Sequence, residues 1–201
     1  MKRVFLCMAL VFVLCFSLAA CSISGEKDSA KETAAETTEA PAKEKVFESD
    51  NELFCIKADE NWKDAQKRLE IEDATLSISK NQEAYIALIS EYKYNFPSQD
   101  GLSGYNELVI KNMEKNVDNE ETGKSEKLQI DDYDAYRTVM TGQVEKQNTA
   151  YIIYCVEMDD YYVQLVCWNI GNNSDKYGTE FDKIARTLCF AWDMEKEETQ
   201  G

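Results

Sequence analysis

The chain has 201 residues, with 22 Lys and Arg against 38 Asp and Glu, a formal net charge of -16 and no histidine. The acidic excess argues against nucleic acid as a partner, because that contact rests on phosphate neutralisation by Lys and Arg, and it makes an anionic bilayer repel the chain. The absence of histidine removes the usual general base, the commonest transition-metal ligand and every Ser-His or Cys-His nucleophile pair, leaving only carboxylates, Lys, Tyr or Cys for any chemistry.

The first twenty residues divide as a secretory signal does. Lys2 and Arg3 form a positive start, Val4 to Phe16 an apolar stretch, and Ser17 to Ala20 a small-residue approach to a cut. Leu18-Ala19-Ala20-Cys21 resembles the cleavage and lipid-attachment signal of a bacterial lipoprotein, in which the cysteine at the first mature position takes a diacylglyceryl group. The resemblance implies cleavage between Ala20 and Cys21, acyl chains on Cys21, and a chain anchored to the cell membrane on its extracytoplasmic side rather than spanning it. Two alternatives stay open: a signal cut without lipidation, and an uncleaved anchor helix. For the second, the apolar run is on the short side of the about 20 residues that a span needs.

Residues 21–45 are rich in Ala, Glu, Thr, Ser and Lys and contain no aromatic residue, so they cannot bury enough apolar surface to order themselves and read as a tether. A folded region is expected over 46–193, with 194–201 as a disordered tail. Leu53 to Ala58 and Ala74 to Ser79 alternate as half-buried strands, and Ala84 to Ile89 is apolar enough for a strand buried on both faces, with Lys80 to Glu83 as the turn before it. Tyr105, Leu108, Val109, Met113 and Val117 predict a helix over Ser103 to Val117, capped by Ser103. Asn119 to Lys127 reads as a polar loop. Strands are then expected at Leu128 to Ile130, Tyr136 to Glu145, Ala150 to Met158 and Tyr161 to Asn169. A closing helix follows, capped by Ser174, with Tyr177, Phe181, Ile184, Ala185 and Leu188 as its apolar stripe.

Asp159-Asp160 separates two strongly strand-like runs and predicts a tight hairpin. With a two-residue loop, Met158 faces Tyr161. One face of the hairpin then carries Ile152, Tyr154, Val156, Met158, Tyr161, Val163, Leu165 and Cys167; the other carries Tyr151, Ile153, Cys155, Glu157, Tyr162, Gln164, Val166 and Trp168. Cys155 and Cys167 fall on opposite faces and should not be bonded to each other.

Cys7 and Cys15 lie in the signal, and Cys55, Cys155, Cys167 and Cys189 in the folded region. An even number outside the cytoplasm raises the question of disulfides. Each of the four sits inside an apolar run, however, so buried thiols packing as small hydrophobes are the favoured reading. No C-x-x-C occurs, and no metal site is expected.

Phe54-Cys55-Ile56 leading into Trp62, the run Ala84-Tyr85-Ile86-Ala87-Leu88-Ile89, the paired strands around Tyr154 and Tyr161-Tyr162-Val163, and Phe181 to Leu188 together resemble the PsbP-like lipoproteins. That group is related in fold to an extrinsic subunit of photosystem II. Many of its members have a proline shortly before the tryptophan, where this chain has Asp59-Glu60-Asn61-Trp62. The resemblance implies an α+β fold, an antiparallel sheet sandwiched by helices, and a binding or assembly role with no catalytic set to carry over.

Asp131, Asp132 and Asp134 could form an oxygen-rich calcium loop. They lack the glycine and distal glutamate of an EF-hand, and a solvated turn accounts for them better. In a sheet sandwiched by helices the second, aromatic-rich hairpin face is by default covered; Tyr162 and Trp168 are the candidate partner-binding residues on the hypothesis that part of that face stays open at one end. The function expected is a non-enzymatic, membrane-anchored module that binds or assembles with another envelope protein and needs no cofactor. A small-molecule or metal-ion receptor is the alternative, and a carboxylate-dependent hydrolase a distant one.

Overall fold

The computed structural model describes residues 43–97, 100–171 and 175–194. The stretch expected to be a signal, Cys21 as the expected lipid-attachment site, nearly all of the expected tether, the expected Ser174 cap and all but the first residue of the expected tail lie outside the described residues. Among those described, no helix is long and apolar enough to cross a membrane.

The chain opens with β1 (Glu44–Glu48), β2 (Phe54–Asp59), β3 (Lys63–Asp64) and the single-turn α1 (Gln66–Leu69). A hairpin, β4 (Ala74–Lys80) and β5 (Ala84–Tyr92), leads to the long helix α2 (Gly101–Glu114). Five strands follow: β6 (Asp118–Thr122), β7 (Glu126–Ile130), β8 (Tyr133–Val144), β9 (Gln147–Met158) and β10 (Tyr161–Ile170). Helix α3 (Asp175–Ala185) and β11 (Cys189–Phe190) follow, and a helical turn over 191–194 closes the described chain.

Eight strands form the central sheet in the order β3-β4-β5-β10-β9-β8-β6, with β7 also paired to β8; β1, β2 and β11 form a second sheet, and every pairing described is antiparallel. The strands are regular because period-2 alternation gives each central strand two usable faces. On one face, Ile152, Tyr154, Val156, Val163 and Leu165 pack against Phe54 and Ile56 of β2 and Phe181 and Ile184 of α3. On the other, Tyr151, Ile153, Tyr162, Val166 and Trp168 pack against Leu102, Tyr105, Val109 and Met113 of α2 and Leu69 of α1. Burying a side chain such as Phe181 or Ile184 is worth about 1.5–3 kcal/mol each, enough to hold α3 in place.

The β9–β10 register is the expected one, with Met158 opposite Tyr161 and Trp168 opposite Tyr151. Cys155 and Cys167 accordingly lie in different cores. Asp159 takes a left-handed backbone (φ 40°), as a two-residue hairpin loop requires.

Three expectations are corrected. Helix α2 starts at Gly101 rather than Ser103; Asp100 takes the cap position with no side-chain cap bond, and Leu102 and Ile110 enter the core while Leu108 stays half-exposed. The loop expected at Asn119 to Lys127 contains β6 and the start of β7. All five β6 side chains are exposed, so backbone pairing to β8, with an Asn119 to Gln143 side-chain bond, holds it and no apolar alternation marks it in the sequence. The first strand starts at Glu44, inside the stretch read as tether.

Candidate functional site

The two residues expected at an open end are covered. Tyr162 and Trp168 are only 5% and 2% exposed. Tyr105 of α2 stacks on Tyr162 with ring centroids 4.3 Å apart, and Phe96 closes over both edge-on. Trp168 stacks on Tyr85 at 5.1 Å, and the Arg68 guanidinium lies 5.6 Å above the Tyr85 ring. Neither ring is therefore presented at the surface, because α1, α2 and the segment before α2 roof the whole of this face.

The aromatic surface of the molecule lies next to Tyr162, on the opposite side of its strand. Tyr161 faces Tyr92 across the β5–β10 ladder, and the chain then turns through Lys93–Asn95, which sets Tyr94 against Tyr92. The Lys93 backbone N–H donates to Asp160 O at 2.9 Å and ties this turn to the β9–β10 loop. Rings run in contact from Tyr94 to Tyr92 (5.1 Å), Tyr161 (4.5 Å), Phe54 (5.4 Å), Phe190 (5.2 Å) and Trp192 (4.2 Å), with Tyr133 edge-on to Phe190. Phe54 and Phe190 are core residues, while Tyr94 is 74% exposed and Tyr92 and Trp192 are both exposed. Three of the four exposed large hydrophobic side chains among the described residues thus belong to one ridge anchored in the core. Exposed apolar residues are usually scattered singly over a surface, so such clustering makes this ridge the candidate contact surface.

The ridge has an acidic border. Asp131 and Asp132 form the two-residue turn between β7 and β8, with Ile130 facing Tyr133 and Asp131 at φ 51°. Asp159 and Asp160 form the next turn. Burial first, and then the charges of Asp159, Asp193, Asp131 and Asp132, push the Tyr133 phenol above its ordinary range. Asp131, Asp132, Asp159 and Asp160 are exposed, and among the described residues none of them forms an ion pair. Of the aspartates weighed for calcium, Asp131 and Asp132 form a turn, while Asp134 lies in β8 and accepts from Lys127 Nζ at 3.0 Å.

A polar cavity of about 350 Å³ lies between α3 and the β7–β9 face. Arg137 Nε donates to Asp182 Oδ1 at 2.8 Å, and Tyr154 OH donates to the same oxygen. Burial opposes the Arg137 charge, but the bonds to Asp182 and Tyr154 outweigh it and hold the guanidinium above its ordinary range. Lys127, Arg186 and Glu126 also line the cavity, so charged groups of both signs meet there, with three basic groups against two carboxylates in a chain that is otherwise strongly acidic. A second cavity, of about 330 Å³, lies beside Tyr92 and is lined by Asp73, Ser90 and Glu91 among others.

The ridge residues were not picked out in the sequence. The signal present was Tyr92-Lys93-Tyr94 at the end of a strand, but Phe190 and Trp192 join it only through the pairing of β11 with β2.

No protein-family model matches the chain, and no curated protein does. Solved structures do. Cyanobacterial PsbP (CyanoP) from Synechocystis sp. PCC 6803 superposes with a TM-score of 0.55 at 9% sequence identity, covering 78% of this chain and 98% of that one. The Ran-binding protein Mog1p of Saccharomyces cerevisiae superposes with a TM-score of 0.52 at 9% identity, covering 75% of this chain and 96% of that one. At such identities the likeness is one of fold: the described residues adopt the PsbP-like α+β fold, a large antiparallel sheet with helices packed on its faces.

Proposed function

We propose that this chain is a membrane-tethered extracytoplasmic module, held by acyl chains on Cys21 after removal of residues 1–20, that binds or assembles with another envelope protein through the aromatic ridge. The observation that carries the reading is the unbroken run of rings from Tyr94 to Trp192, exposed at its two ends, rooted in the core at Phe54 and Phe190, and bordered by the exposed aspartates of two turns. Aromatic anchors supply most of the energy at protein contacts. The acidic border selects a partner segment that carries Lys or Arg around an apolar centre, since like-charged partners are rejected by several kcal/mol. Mog1p, which has a similar fold, is a Ran-binding protein.

A photo-crosslinking residue placed at Tyr94 in the membrane-bound protein tests this. The expected result is one adduct with a second polypeptide, lost in Trp192→Ala and weakened as salt is raised, because exposed charge contacts are screened over about 10 Å at 0.1 M salt. No adduct, or one indifferent to Trp192→Ala, removes the ridge from the account. Release of Cys21→Ala from the membrane fraction supports the anchor separately; its retention there points to an uncleaved helix.

A second reading rests on the Arg137 cavity, whose size and converging polar groups suit a small anionic ligand. A thermal shift with phosphate or a dicarboxylate that disappears in Arg137→Met would favour a receptor over an assembly module.

A further inference from the structure

Cys55 and Cys189 stand directly opposite each other in the β2–β11 ladder, one residue before the Phe54–Phe190 pair of the ridge. We infer that these two thiols are a disulfide-forming pair, oxidised by a disulfide-bearing partner or low-molecular-weight disulfide, and that the bond clamps the C-terminal half of the ridge to the fold. The inference stands on strand register and is independent of where the protein resides.

Opposed residues of an antiparallel ladder have Cα atoms about 4.5–5.5 Å apart and side chains on one face, inside the about 4.4–6.8 Å window of disulfides. The two thiols already reach across the ladder. Cys55 Sγ lies 3.9 Å from Phe190 O, and Cys189 Sγ lies 3.9 Å from Cys55 O. The hydrogen bond with Cys189, followed by burial, raises the Cys55 thiol well above its ordinary range, a sign that each sulfur is the other's neighbour. Their Cβ atoms, about 4.5–5.5 Å apart in such a pair, must approach slightly to bond, and a strand of only two residues with one ladder partner can shift that far.

The roles follow from exposure. Cys189 is half-buried and Cys55 is 1% exposed. The Cys189 thiol loses its proton to solvent, and its thiolate attacks the external disulfide. That forms a mixed disulfide and expels one thiolate, which takes up a proton. The Cys55 thiol then loses its proton, and the resulting thiolate attacks Cys189 Sγ, forms the internal S–S bond and expels the second thiolate, which is protonated in turn. Two electrons and two protons pass from the pair to the external disulfide. Cys155 and Cys167 cannot take part, because they are buried in different cores.

The clamp acts where the ladder is weakest. Beyond the two β11 residues, the Ala191 N–H to Leu53 O bond of 3.0 Å is what continues the pairing toward Trp192. A covalent link at Cys189 fixes Phe190 and Trp192 relative to Phe54.

The test equilibrates the full chain, purified without reductant, across glutathione buffers from fully reduced to fully oxidised. Thiols are then blocked with iodoacetamide in denaturant, and peptides are mapped without reduction. The expected product is one linked peptide pair carrying Cys55 and Cys189, absent in Cys189→Ser, with Cys155 and Cys167 recovered alkylated. Alkylation of all four at every poise, a stable glutathione adduct on Cys189 with no internal link, or a link that includes Cys155 or Cys167 overturns the inference.

Discussion

Tyr92 and Tyr161 face each other at the end of the β5–β10 ladder with ring centroids 4.5 Å apart, and this contact joins the two halves of the aromatic ridge. The hydrogen bond with Tyr92, then burial and the charge of Asp160 among others, push the Tyr161 phenol up to about 12. Absorbance titration at alkaline pH, with Tyr161→Phe as the difference reference, should show this phenol ionising near that value. In Tyr92→Phe it should return toward 10.0, the ordinary value. A Tyr161 that ionises at the ordinary value in the unaltered protein would break the ridge at its middle.

Lys80 ties α3 to the central sheet. Its Nζ lies 2.9 Å from Asp59 Oδ2 and 2.7 Å from Glu180 Oε1, and the same Glu180 oxygen accepts from Trp62 Nε1 at 2.8 Å. Burial works against the Asp59 charge, but the Lys80 bond overrides it and holds the carboxyl below 3.8. Burial likewise opposes the Lys80 charge, and the two carboxylates raise the ammonium above 10.5. The signs differ at the two ends of the pH scale. The Asp59 contribution is present above 3.8 and lost as pH falls through its lower folded value, while that of Lys80 is present below 10.5 and lost as pH rises through its higher one. Lys80→Met should cost about 1–2 kcal/mol at pH 7 in urea unfolding and should flatten the loss of stability below pH 4, given that all three groups are partly solvated. An unchanged urea midpoint at pH 7 would show the cluster to be energetically idle.

The β9–β10 register was readable because a two-residue loop and period-2 alternation leave one pairing that buries both apolar sets, and Tyr154 and Tyr151 fall in the two cores that it assigns. The ends of α2 were less readable. Leu108 and Ile110 are both apolar, and which of them faces the sheet depends on the rotation set by a start at Gly101, whose φ of 62° breaks the preceding chain direction. Strand β6 left no trace, since Asp118 to Thr122 bury no side chain and their pairing is a backbone matter. Tyr162 and Trp168 were identified correctly as aromatic residues of the second face but misplaced at the surface, because their cover comes from Phe96, Tyr105, Tyr85 and Arg68, elsewhere in the sequence. The ridge failed for the same reason: its rings come from β2, β5, the Lys93–Asn95 turn, β8, β10, β11 and the helical residues 191–194, and no local pattern announces that they meet.

Gly142 is where β8 passes closest to the connection between α2 and β6. A Cβ there would sit 2.3 Å from Val117 Cγ1 and 2.9 Å from Asp118 O, the latter being backbone that cannot swing away. Gly142→Ala should therefore destabilise by about 1–3 kcal/mol despite its better intrinsic strand propensity. If chemical denaturation shows no loss, the α2–β6 connection does not approach β8 as closely as the fold requires. Gly101→Ala provides the contrast, since nothing lies within 4 Å of its Cβ position and its cost comes only from the left-handed φ.

Arg137 and Tyr154 converge on one oxygen, Asp182 Oδ1, so each should depend on the other. Tyr154 is buried, and burial followed by the Cys167 and Asp182 interactions raises its phenol well above the ordinary range; it donates to the carboxylate as a neutral hydroxyl throughout the physiological pH range. Arg137→Met should cost about 1–3 kcal/mol, because Asp182 then keeps only the hydroxyl as a partner in a cavity wall. Tyr154→Phe removes a single bond and should cost about 1 kcal/mol. With a shared acceptor, the double variant should lose less or more than the sum of the two by about 0.5 kcal/mol or more, whereas distant residues add. Strict additivity in the urea midpoints would mean that Arg137 and Tyr154 do not share the carboxylate, and the cavity would then lack the ordered polar wall on which the receptor reading depends.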